Sequence, residues 1–442
     1  MKKVITYGTY DLLHRGHVYL LERAKSLGDY LIVGVTADDF DKNRGKINVQ
    51  QPLMERLEAV RATGIADEII VEEYEGQKID DIKRYGVDIF TVGSDWVGQF
   101  DYLEQYCQVV YLDRTEGVSS TDLRTESHPM RLGLMGEGNI LLKYKKESTF
   151  VNGIEISGIC SQDPSVLADA HNEGLTVVDT YDRLLDISDA VYVISHPTKH
   201  YDHIRQALLQ GKHVLCESPI ALEEAQCREL FALAREKGLT LMEAIKTAYS
   251  TAYSRLLLLL KSGKIGDVVS VDAVCTSLSD GGAFHDRWNS MSAWGPTAVL
   301  PIFQILGTQC RQKQITSRIV DEPTHFDTFT KVDFVYPHAV ASMKVGTGAK
   351  SEGELVISGT QGYAYVPAPW WKTDYFEIRY ENPAENKRYF YHLDGEGIRY
   401  VLLAFTKSVQ QGRLSTFIDE SVSLAIAGLM EDHCQGNDMV LL

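Results

Sequence analysis

The chain has 442 residues, of which 44% are hydrophobic and 24% are charged. This composition is ordinary for a globular protein, and the length predicts two or three domains. The net charge of −17 argues against a nucleic-acid partner, because nonspecific binding of nucleic acid requires a basic surface. The N-terminal eight residues are too short and too polar for a signal peptide, and no run of eighteen apolar residues occurs. We therefore expect a cytoplasmic protein without membrane insertion.

The seven cysteines are dispersed and have no C-x-x-C spacing. Such a set in a long acidic chain is typical of reduced thiols in the core, and we expect no metal site built by the protein.

The most informative stretch is TYGTYDLLHRGH, residues 6–17. Lys2–Tyr7 is predicted to be a short strand, Gly8 breaks it, and the apolar spacing of Asp11–Lys25 predicts a helix. A strand, a tight turn and a helix N-terminus bring several backbone N–H groups together, which favours an anion. Because His14 and His17 are three residues apart, we expect both imidazoles on one face of the first helical turns.

Three interpretations of this histidine pair differ in what they require. Two incidental histidines on a helix are common for an isolated H-x-x-H, but much less so for the whole string after a strand. A zinc site would need a third ligand at short spacing, and none is evident. Paired donors suit charge that builds up on a phosphate during displacement, and Gly16 lets a phosphate approach the backbone. The stretch therefore predicts nucleotidyl transfer.

The next hundred residues alternate strands and helices. The predicted strands are Asp29–Thr36, Asp67–Val71, Asp88–Val92 and Val109–Leu112, and the predicted helices are Met54–Ala62 and Ile79–Tyr85. This alternation implies right-handed crossovers and a parallel sheet. The strings GSDW (93–96) and RTEGVSST (114–121) each follow a strand. We expect both at the carboxyl edge of the sheet, where ligands bind, together with residues 8–17.

These motifs resemble the HxGH signature of the nucleotidyltransferase superfamily, and residues 1 to about 125 resemble the glycerol-3-phosphate cytidylyltransferase family in particular. The resemblance implies transfer of CMP from CTP to glycerol 3-phosphate or a related polyol or sugar phosphate, with release of pyrophosphate. It also implies Mg²⁺ bound with CTP, direct attack without a covalent enzyme intermediate, and a product used for cell-surface polysaccharide.

The resemblance assigns roles residue by residue. His14 and His17 stabilise charge on the α-phosphate, and Lys46 and Arg114 neutralise the triphosphate. Further residues expected in the nucleotide and substrate pocket are Gly8, Thr9, Tyr10, Asp11, Gly16, Arg56, Asp95, Trp96, Thr115, Gly117, Ser119 and Ser120. Arg56 and Arg114 are expected to contact the phosphate of the acceptor.

A second nucleotide-binding pattern follows the polar linker TESHPM, residues 125–130. A strand is predicted at Arg131–Met135, and Gly136, Gly138 and Asn139 form the turn of a G-x-x-G-x-G string before a helix and the strand Ile154–Cys160. The order of strand, glycine turn, helix and strand strengthens this otherwise weak indication of dinucleotide binding. The acid that would bind the adenosine ribose is missing, because Cys160 and Ser161 occupy its usual place and Asp163 comes later.

The string VYVISHPTKHYDHIRQALLQGKHVLCESPIAL, residues 191–222, resembles the glucose–fructose oxidoreductase and inositol dehydrogenase family. The resemblance covers roughly residues 131–432. It adds His196 and Glu217 to the candidate dinucleotide-binding residues and makes NAD(P) a candidate cofactor. It also implies a large open sheet within 268–366 and a C-terminal helix over 418–429 that returns to the nucleotide domain.

Three departures from this family bear on its activity. Ser218 stands where the family has its catalytic lysine, and Pro296 and Leu300 stand where it has an acid and a proton donor. None of the three side chains titrates near neutrality, whereas reduction of a carbonyl needs a proton. The residues that could substitute are His196, His200, Lys246, His285 and Asp286. We favour a degenerate oxidoreductase fold that serves oligomerisation or substrate capture.

The alternative is a bifunctional enzyme that forms a CDP-ketose and reduces it with NAD(P)H to a CDP-alditol. Overall, the sequence predicts an α/β protein with three domains. These are a Rossmann-like cytidylyltransferase domain (1–128), a Rossmann-like oxidoreductase domain (129–246), and an α+β open-sheet domain with a returning helix (247–442). The two resemblances also imply a homo-oligomer.

Overall fold

A computed structural model describes residues 1–37, 49, 51–73, 76–113, 129–151, 153–278, 287–391, 393–412 and 417–442. The chain divides into two compact units, Met1–Pro129 and Met130–Leu442. Each unit is described by itself, and the further division of the second unit at residue 246 stays a prediction. No described helix is both long enough and apolar enough to cross a bilayer. All seven cysteines are free thiols.

The first unit contains a five-stranded parallel sheet. Its strands are β1 (Lys3–Gly8), β2 (Tyr30–Thr36), β3 (Glu68–Glu72), β4 (Ile89–Gly93) and β5 (Gln108–Leu112). Their order is β3-β2-β1-β4-β5, with every pair parallel. The helices are α1 (Arg15–Ser26), α2 (Leu53–Ala62) and α3 (Gln77–Tyr85). The predicted alternation is confirmed, and the order reverses between β1 and β4, which opens a crevice at their carboxyl ends.

The start of helix α1 differs from the prediction. The helix begins at Arg15 rather than Asp11, and His14 is its N-cap residue. Tyr10 and Leu12 have left-handed backbone angles, with φ of 53° and 47°. Residues in that region cannot continue a right-handed helix, so the segment before His14 is a loop. The apolar residues of this loop have the spacing of a helix in the sequence, which is why the predicted helix begins too early.

The second unit begins with another five-stranded parallel sheet. Its strands are β6 (Met130–Gly136), β7 (Ile154–Cys160), β8 (Ala190–Ile194), β9 (His213–Cys216) and β10 (Leu241–Glu243), in the order β10-β9-β8-β6-β7. The helices of this region are α4 (Ile140–Ser148), α5 (Pro164–Asn172), α6 (Tyr181–Asp186), α7 (His200–Leu209) and α8 (Glu224–Lys237). The predicted Rossmann-like alternation is confirmed here as well.

The rest of the second unit is a mixed nine-stranded sheet with helices. The strands are β11 (Val268–Thr276), β12 (Gln312–Asp321), β13 (Phe326–Val335), β14 (Val340–Gly346), β15 (Leu355–Gly359), β16 (Tyr363–Val366), β17 (Tyr375–Arg379), β18 (Lys387–Phe390) and β19 (Met439–Leu441). Their order is β18-β17-β16-β15-β11-β14-β13-β12-β19. The helices are α9 (Thr251–Lys261), α10 (Ser290–Leu306), α11 (Ile398–Gln411) and α12 (Glu420–Gln435).

The C-terminal helix returns to the first sheet of its unit, as predicted. Ala427 of α12 belongs to the same buried cluster as Cys227 and Leu230 of α8. The predicted range, 418–429, ends six residues too early, because the helix continues to Gln435 before Gly436 closes it in a left-handed conformation. Pro296 and Leu300 both lie within the buried part of α10.

Candidate active sites

The two histidines of the first unit form one compact structure at the start of α1. The Nδ1 atom of His14 accepts a hydrogen bond from the Gly16 N–H at 3.1 Å. The Nδ1 atom of His17 accepts from the His14 N–H at 3.5 Å, which completes a reciprocal capping box. The two rings stack with centroids 3.9 Å apart. The expectation that both imidazoles share one face is therefore confirmed, although His14 precedes the helix.

These bonds determine which nitrogen of each ring can donate. A nitrogen that accepts a backbone N–H carries no proton, so the proton of each neutral ring lies on Nε2. His14 and His17 therefore each carry their donor on Nε2. The N-terminus of α1 adds its own partial positive charge at the same place. The arrangement can stabilise negative charge that develops on a phosphate oxygen.

The loop before His14 is supported from α2 and from the residues ahead of it. Asp11 is buried, and its carboxylate accepts from the Gln51 N–H at 2.9 Å. The Gln51 side chain in turn accepts from the Leu12 N–H at 2.8 Å. Gln51 was missed in the sequence, because nothing in the local pattern links it to a loop forty residues earlier. Tyr10 is also buried, and its ring meets the His17 ring edge to face with centroids 5.5 Å apart.

Arg56 holds the same loop through the backbone. Its guanidinium is fully buried and donates to the carbonyl oxygens of Thr9 at 2.6 Å, Thr36 at 2.9 Å and Gln51 at 3.0 Å. These bonds make Arg56 a positioning residue for the turn that contains Thr9. Its expected contact with the phosphate of an acceptor stays a prediction.

A small cavity of about 50 Å³ lies beside this turn. Its walls include Gly8, Thr9, Thr36, Glu72, Lys78 and Trp96. Glu72 and Lys78 form a buried ion pair, and the Lys78 ammonium lies 4.6 Å from the centroid of the Tyr7 ring. Neither residue belongs to a motif, and their pairing satisfies two charges that the fold buries.

The motif RTEGVSST of the first unit, residues 114–121, lies outside the described residues. Lys46, Arg114, Thr115, Gly117, Ser119 and Ser120 lie outside the described residues. Asp95 and Trp96 lie in the turn that follows β4. Strand β5 ends at Leu112, paired with Gly93 of β4, and the Asp113 carbonyl accepts from Arg23 of α1 at 2.7 Å. Asp113, the last described residue before that motif, therefore lies beside the last turn of α1.

The glycine turn of the second unit fits a dinucleotide pyrophosphate. Gly136 has φ of +136°, and a Cβ there would lie 2.4 Å from the carbonyl carbon of Ile194. Gly138 has φ of +84°, with no heavy atom within 4 Å of the place a Cβ would take. Helix α4 starts directly afterwards, without a side-chain cap from Asn139. Close backbone approach and a helix N-terminus are what a pyrophosphate requires.

Cys160 and Ser161 occupy the place where a carboxylate usually binds the adenosine ribose of a dinucleotide. Cys160 is buried, and the Ser161 hydroxyl accepts from the Asp163 N–H at 3.1 Å. The Asp163 carboxylate caps α5 by accepting from the N–H and hydroxyl of Ser165, and these bonds lower its pKa. Because the Asp163 carboxylate already caps α5, the ribose 2′-hydroxyl of a bound dinucleotide would need another hydrogen-bond partner.

A cavity of about 270 Å³ adjoins this turn, since Ile140 and Lys143 of α4 line it. The other charged or hydroxyl side chains in its wall are Glu217, Ser218, Lys246, Thr247, Thr297, Lys372 and Glu396, and Trp288, Trp294 and Trp371 supply aromatic surface. Ser218 and Lys246 therefore face the same space. The Ser218 hydroxyl donates to the buried Glu243, whose carboxyl has its pKa raised by burial.

His196 and His200, two of the proposed substitutes, do not line this cavity. His200 is fully buried, with its ring nitrogens 2.7 Å and 2.6 Å from the Pro219 and Ser195 carbonyl oxygens, and burial lowers its pKa to about 4. His196 contacts the Thr198 hydroxyl at 2.8 Å and the Arg287 carbonyl at 3.3 Å. His285 and Asp286 lie outside the described residues. Of the suggested substitutes that the structure describes, Lys246 is the one that lines the cavity.

Comparisons with known families agree with this division of the chain. Residues 5–126 match the family model described as cytidylyltransferase-like. Residues 130–245 match the oxidoreductase family model with an NAD-binding Rossmann fold.

Two curated relatives are similar to the first unit. Glycerol-3-phosphate cytidylyltransferase of Bacillus spizizenii is 47% identical over 126 residues, which cover 28% of this chain and 97% of the relative. The Staphylococcus aureus protein of the same name is 48% identical over 130 residues, covering 28% of this chain and 95% of the relative.

Two further proteins are similar to the second unit. Trans-1,2-dihydrobenzene-1,2-diol dehydrogenase of Oryctolagus cuniculus is 28% identical over 259 residues, covering 56% of this chain and 78% of the relative. A crystal structure of KijD10, a 3-ketoreductase from Actinomadura kijaniata in complex with NADP and TDP-benzene, aligns with a TM-score of 0.63 and 21% identity. That alignment covers 71% of this chain and all of KijD10, and it shows a shared fold.

Proposed function

The chain belongs to the cytidylyltransferase-like family through its first unit, a nucleotidyltransferase, and from this premise we propose that it transfers CMP from CTP to glycerol 3-phosphate or a closely related polyol phosphate. The observation that carries the proposal is the stacked pair of imidazoles, His14 and His17, at a helix N-terminus, with Nδ1 of each ring accepting a backbone N–H so that Nε2 is left to donate.

The reaction follows from this geometry. An oxygen of the acceptor phosphate attacks the α-phosphorus of CTP, the bond to the β-phosphate breaks, and pyrophosphate leaves. Negative charge grows on the α-phosphate oxygens, and His14 and His17 donate to them. Mg²⁺ bound with CTP supplies charge neutralisation on the triphosphate. Lys46 and Arg114 are proposed to assist in neutralising the triphosphate.

The small cavity next to Thr9 supports a polyol phosphate as acceptor. It presents an ammonium group, Lys78, and a carboxylate, Glu72, within one polar wall. Hydroxyl groups can both accept from the former and donate to the latter. The product would be a CDP-polyol, a precursor for cell-surface polysaccharide.

An acceptor screen tests this function. The full chain is incubated with CTP, Mg²⁺ and glycerol 3-phosphate, ribitol 5-phosphate or fructose 6-phosphate, and pyrophosphate release is measured. We expect the fastest release with glycerol 3-phosphate. Release that requires none of these acceptors, or no release with any of them, would overturn the proposal.

For the second unit we propose dinucleotide-dependent reduction of a carbonyl compound, in preference to a degenerate fold. The specific observation is that the glycine turn Gly136–Gly138, suited to a pyrophosphate, adjoins a polar cavity large enough for a nicotinamide and a small substrate. Glu217 lies in that cavity wall, whereas His196 does not. Binding of NADH and NADPH to the full chain, measured by calorimetry, tests this function, and binding of neither would contradict it.

A further inference from the structure

The second unit carries an ammonium group in the cavity where the family's lysine is missing. Lys246 comes three residues after the end of β10 and begins the short helical turn Lys246–Tyr249. Its side chain is 25% exposed, and its Nζ atom lies 3.4 Å from a carboxylate oxygen of Glu217. Ser218 points its hydroxyl to Glu243 instead and brings no titratable group.

Three neighbouring parallel strands assemble the surroundings of Lys246. Tyr192 lies on β8, Glu217 follows β9, and Lys246 comes shortly after β10. The Tyr192 hydroxyl donates to the second oxygen of Glu217 at 2.5 Å, and burial keeps the pKa of this phenol well above its usual range. The Tyr192 ring is fixed in turn by stacking on Tyr144 of α4, with centroids 3.9 Å apart. Glu217 therefore presents one oxygen to Lys246 in a fixed direction.

The other charged groups around the cavity stand apart from this pair. Lys143 and Lys372 both contact Glu396, at 2.8 Å and 2.6 Å, and each of the two lysines is more than 40% exposed. These two bonds lower the pKa of Glu396 to about 2, so the group of three keeps one net positive charge. Lys246 is consequently the more enclosed ammonium in the wall.

We propose that Lys246 is the proton donor for carbonyl reduction in this cavity and that Glu217 is its positioning residue; the proposal rests on the dinucleotide-dependent function given above. The carbonyl carbon of the substrate gains a hydride from the reduced nicotinamide dinucleotide, which becomes oxidised. The carbonyl oxygen takes a proton from the Lys246 ammonium, and the product is an alcohol. The neutral amine regains a proton from solvent at the cavity mouth.

The lining also indicates the class of substrate. Trp294 and Trp371 lie with ring centroids 5.0 Å apart, and such indole surfaces pack against the C–H faces of a polyol chain. The net positive group at Lys143, Lys372 and Glu396 favours a phosphate. We therefore assign the cavity a phosphorylated ketose, and ribulose 5-phosphate, fructose 6-phosphate and dihydroxyacetone phosphate are suitable probes.

The experiment uses the full chain and three variants. Lys246→Met removes the donor, Lys246→Arg keeps the charge and the pair with Glu217, and Lys237→Met on the exposed end of α8 is the matched control. Binding of NADPH is measured by quenching of tryptophan fluorescence, and NADPH oxidation is followed with each probe. Wild type and the Lys237 variant should bind and turn over equally.

We expect both Lys246 variants to bind NADPH within about threefold of wild type and to lose about 10²–10⁴-fold in kcat, with KM little changed for Lys246→Arg. A kcat within threefold of wild type for either variant, or NADPH binding by wild type without consumption of any probe, would overturn the role of Lys246. Absence of NADPH and NADH binding to wild type would instead overturn the dinucleotide function on which the role depends.

Discussion

The two units build their candidate sites in different ways. In the first unit, His14, Gly16 and His17 belong to one short segment, and backbone bonds within that segment set their geometry. In the second unit, the cavity wall joins residues as distant in sequence as Lys143 and Glu396, which are 253 positions apart. A site built from one segment leaves a motif in the sequence, whereas a site built by the fold does not.

Among the substitutions that test this comparison, we expect His17→Ala to have the largest effect on activity. The substitution removes one of two donors to the α-phosphate, so pyrophosphate release should fall by about 10³-fold. The matched control is His171→Ala, at an exposed position on α5, which should leave release unchanged. A loss of less than tenfold for His17→Ala, in a protein whose thermal unfolding matches wild type, would overturn the assigned role.

Arg56→Met tests whether the first site depends on support from outside its motif. Three backbone carbonyls would lose a charged donor in a buried place, so we expect the free energy of unfolding to fall by about 3 kcal/mol. Arg61→Met, on the exposed side of the same helix, should change it by less than about 0.5 kcal/mol. Urea unfolding of the two variants measures the difference, and equal values would contradict the account.

His200→Gln tests whether the buried His200 has a structural role and not a catalytic one. Because its pKa in the folded unit is lowered to about 4, the unfolded chain binds a proton on His200 more readily, and stability is lost as pH falls from about 6.5 towards 4. At pH 5 this loss amounts to about 2 kcal/mol. Glutamine cannot titrate, so the variant should lack this part of the pH dependence.

The measurement for His200 is the difference between variant and wild type, taken from urea unfolding at pH 7.5 and pH 5. Asp327 acts in the other direction, because burial raises its pKa to about 6 and its stabilising contribution is lost as pH rises from about 4 to 6. That contribution cancels in the difference. Equal pH dependence of the two proteins would mean that His200 is not buried in its neutral form.

The regular parts of the fold could be predicted from the sequence because buried strands are marked by short apolar runs. The strand at Ile154–Cys160 agrees with its predicted range in full, and the strand ends of the first unit shift by no more than one residue. The start of α1 could not be predicted, because the left-handed angles of Tyr10 and Leu12 leave no trace in apolar spacing. Side-chain type alone also did not separate the buried His200 from the cavity-lining Lys246.

Supporting contacts were the least predictable part of the site. Arg56 donates to the backbone carbonyls of Thr9, Thr36 and Gln51, and no sequence pattern indicates these bonds. Gln51 and Lys78 carry no motif at all. Their partners lie in other elements, so only the packed fold defines what they do.

The most direct test of the central claim is ¹⁵N NMR of the histidine side chains in the first unit, with and without CTP. The account predicts that His14 and His17 are neutral rings protonated on Nε2, and that both Nε2–H signals shift when CTP binds. Rings protonated on Nδ1, or Nε2–H signals that stay unchanged at saturating CTP, would contradict it.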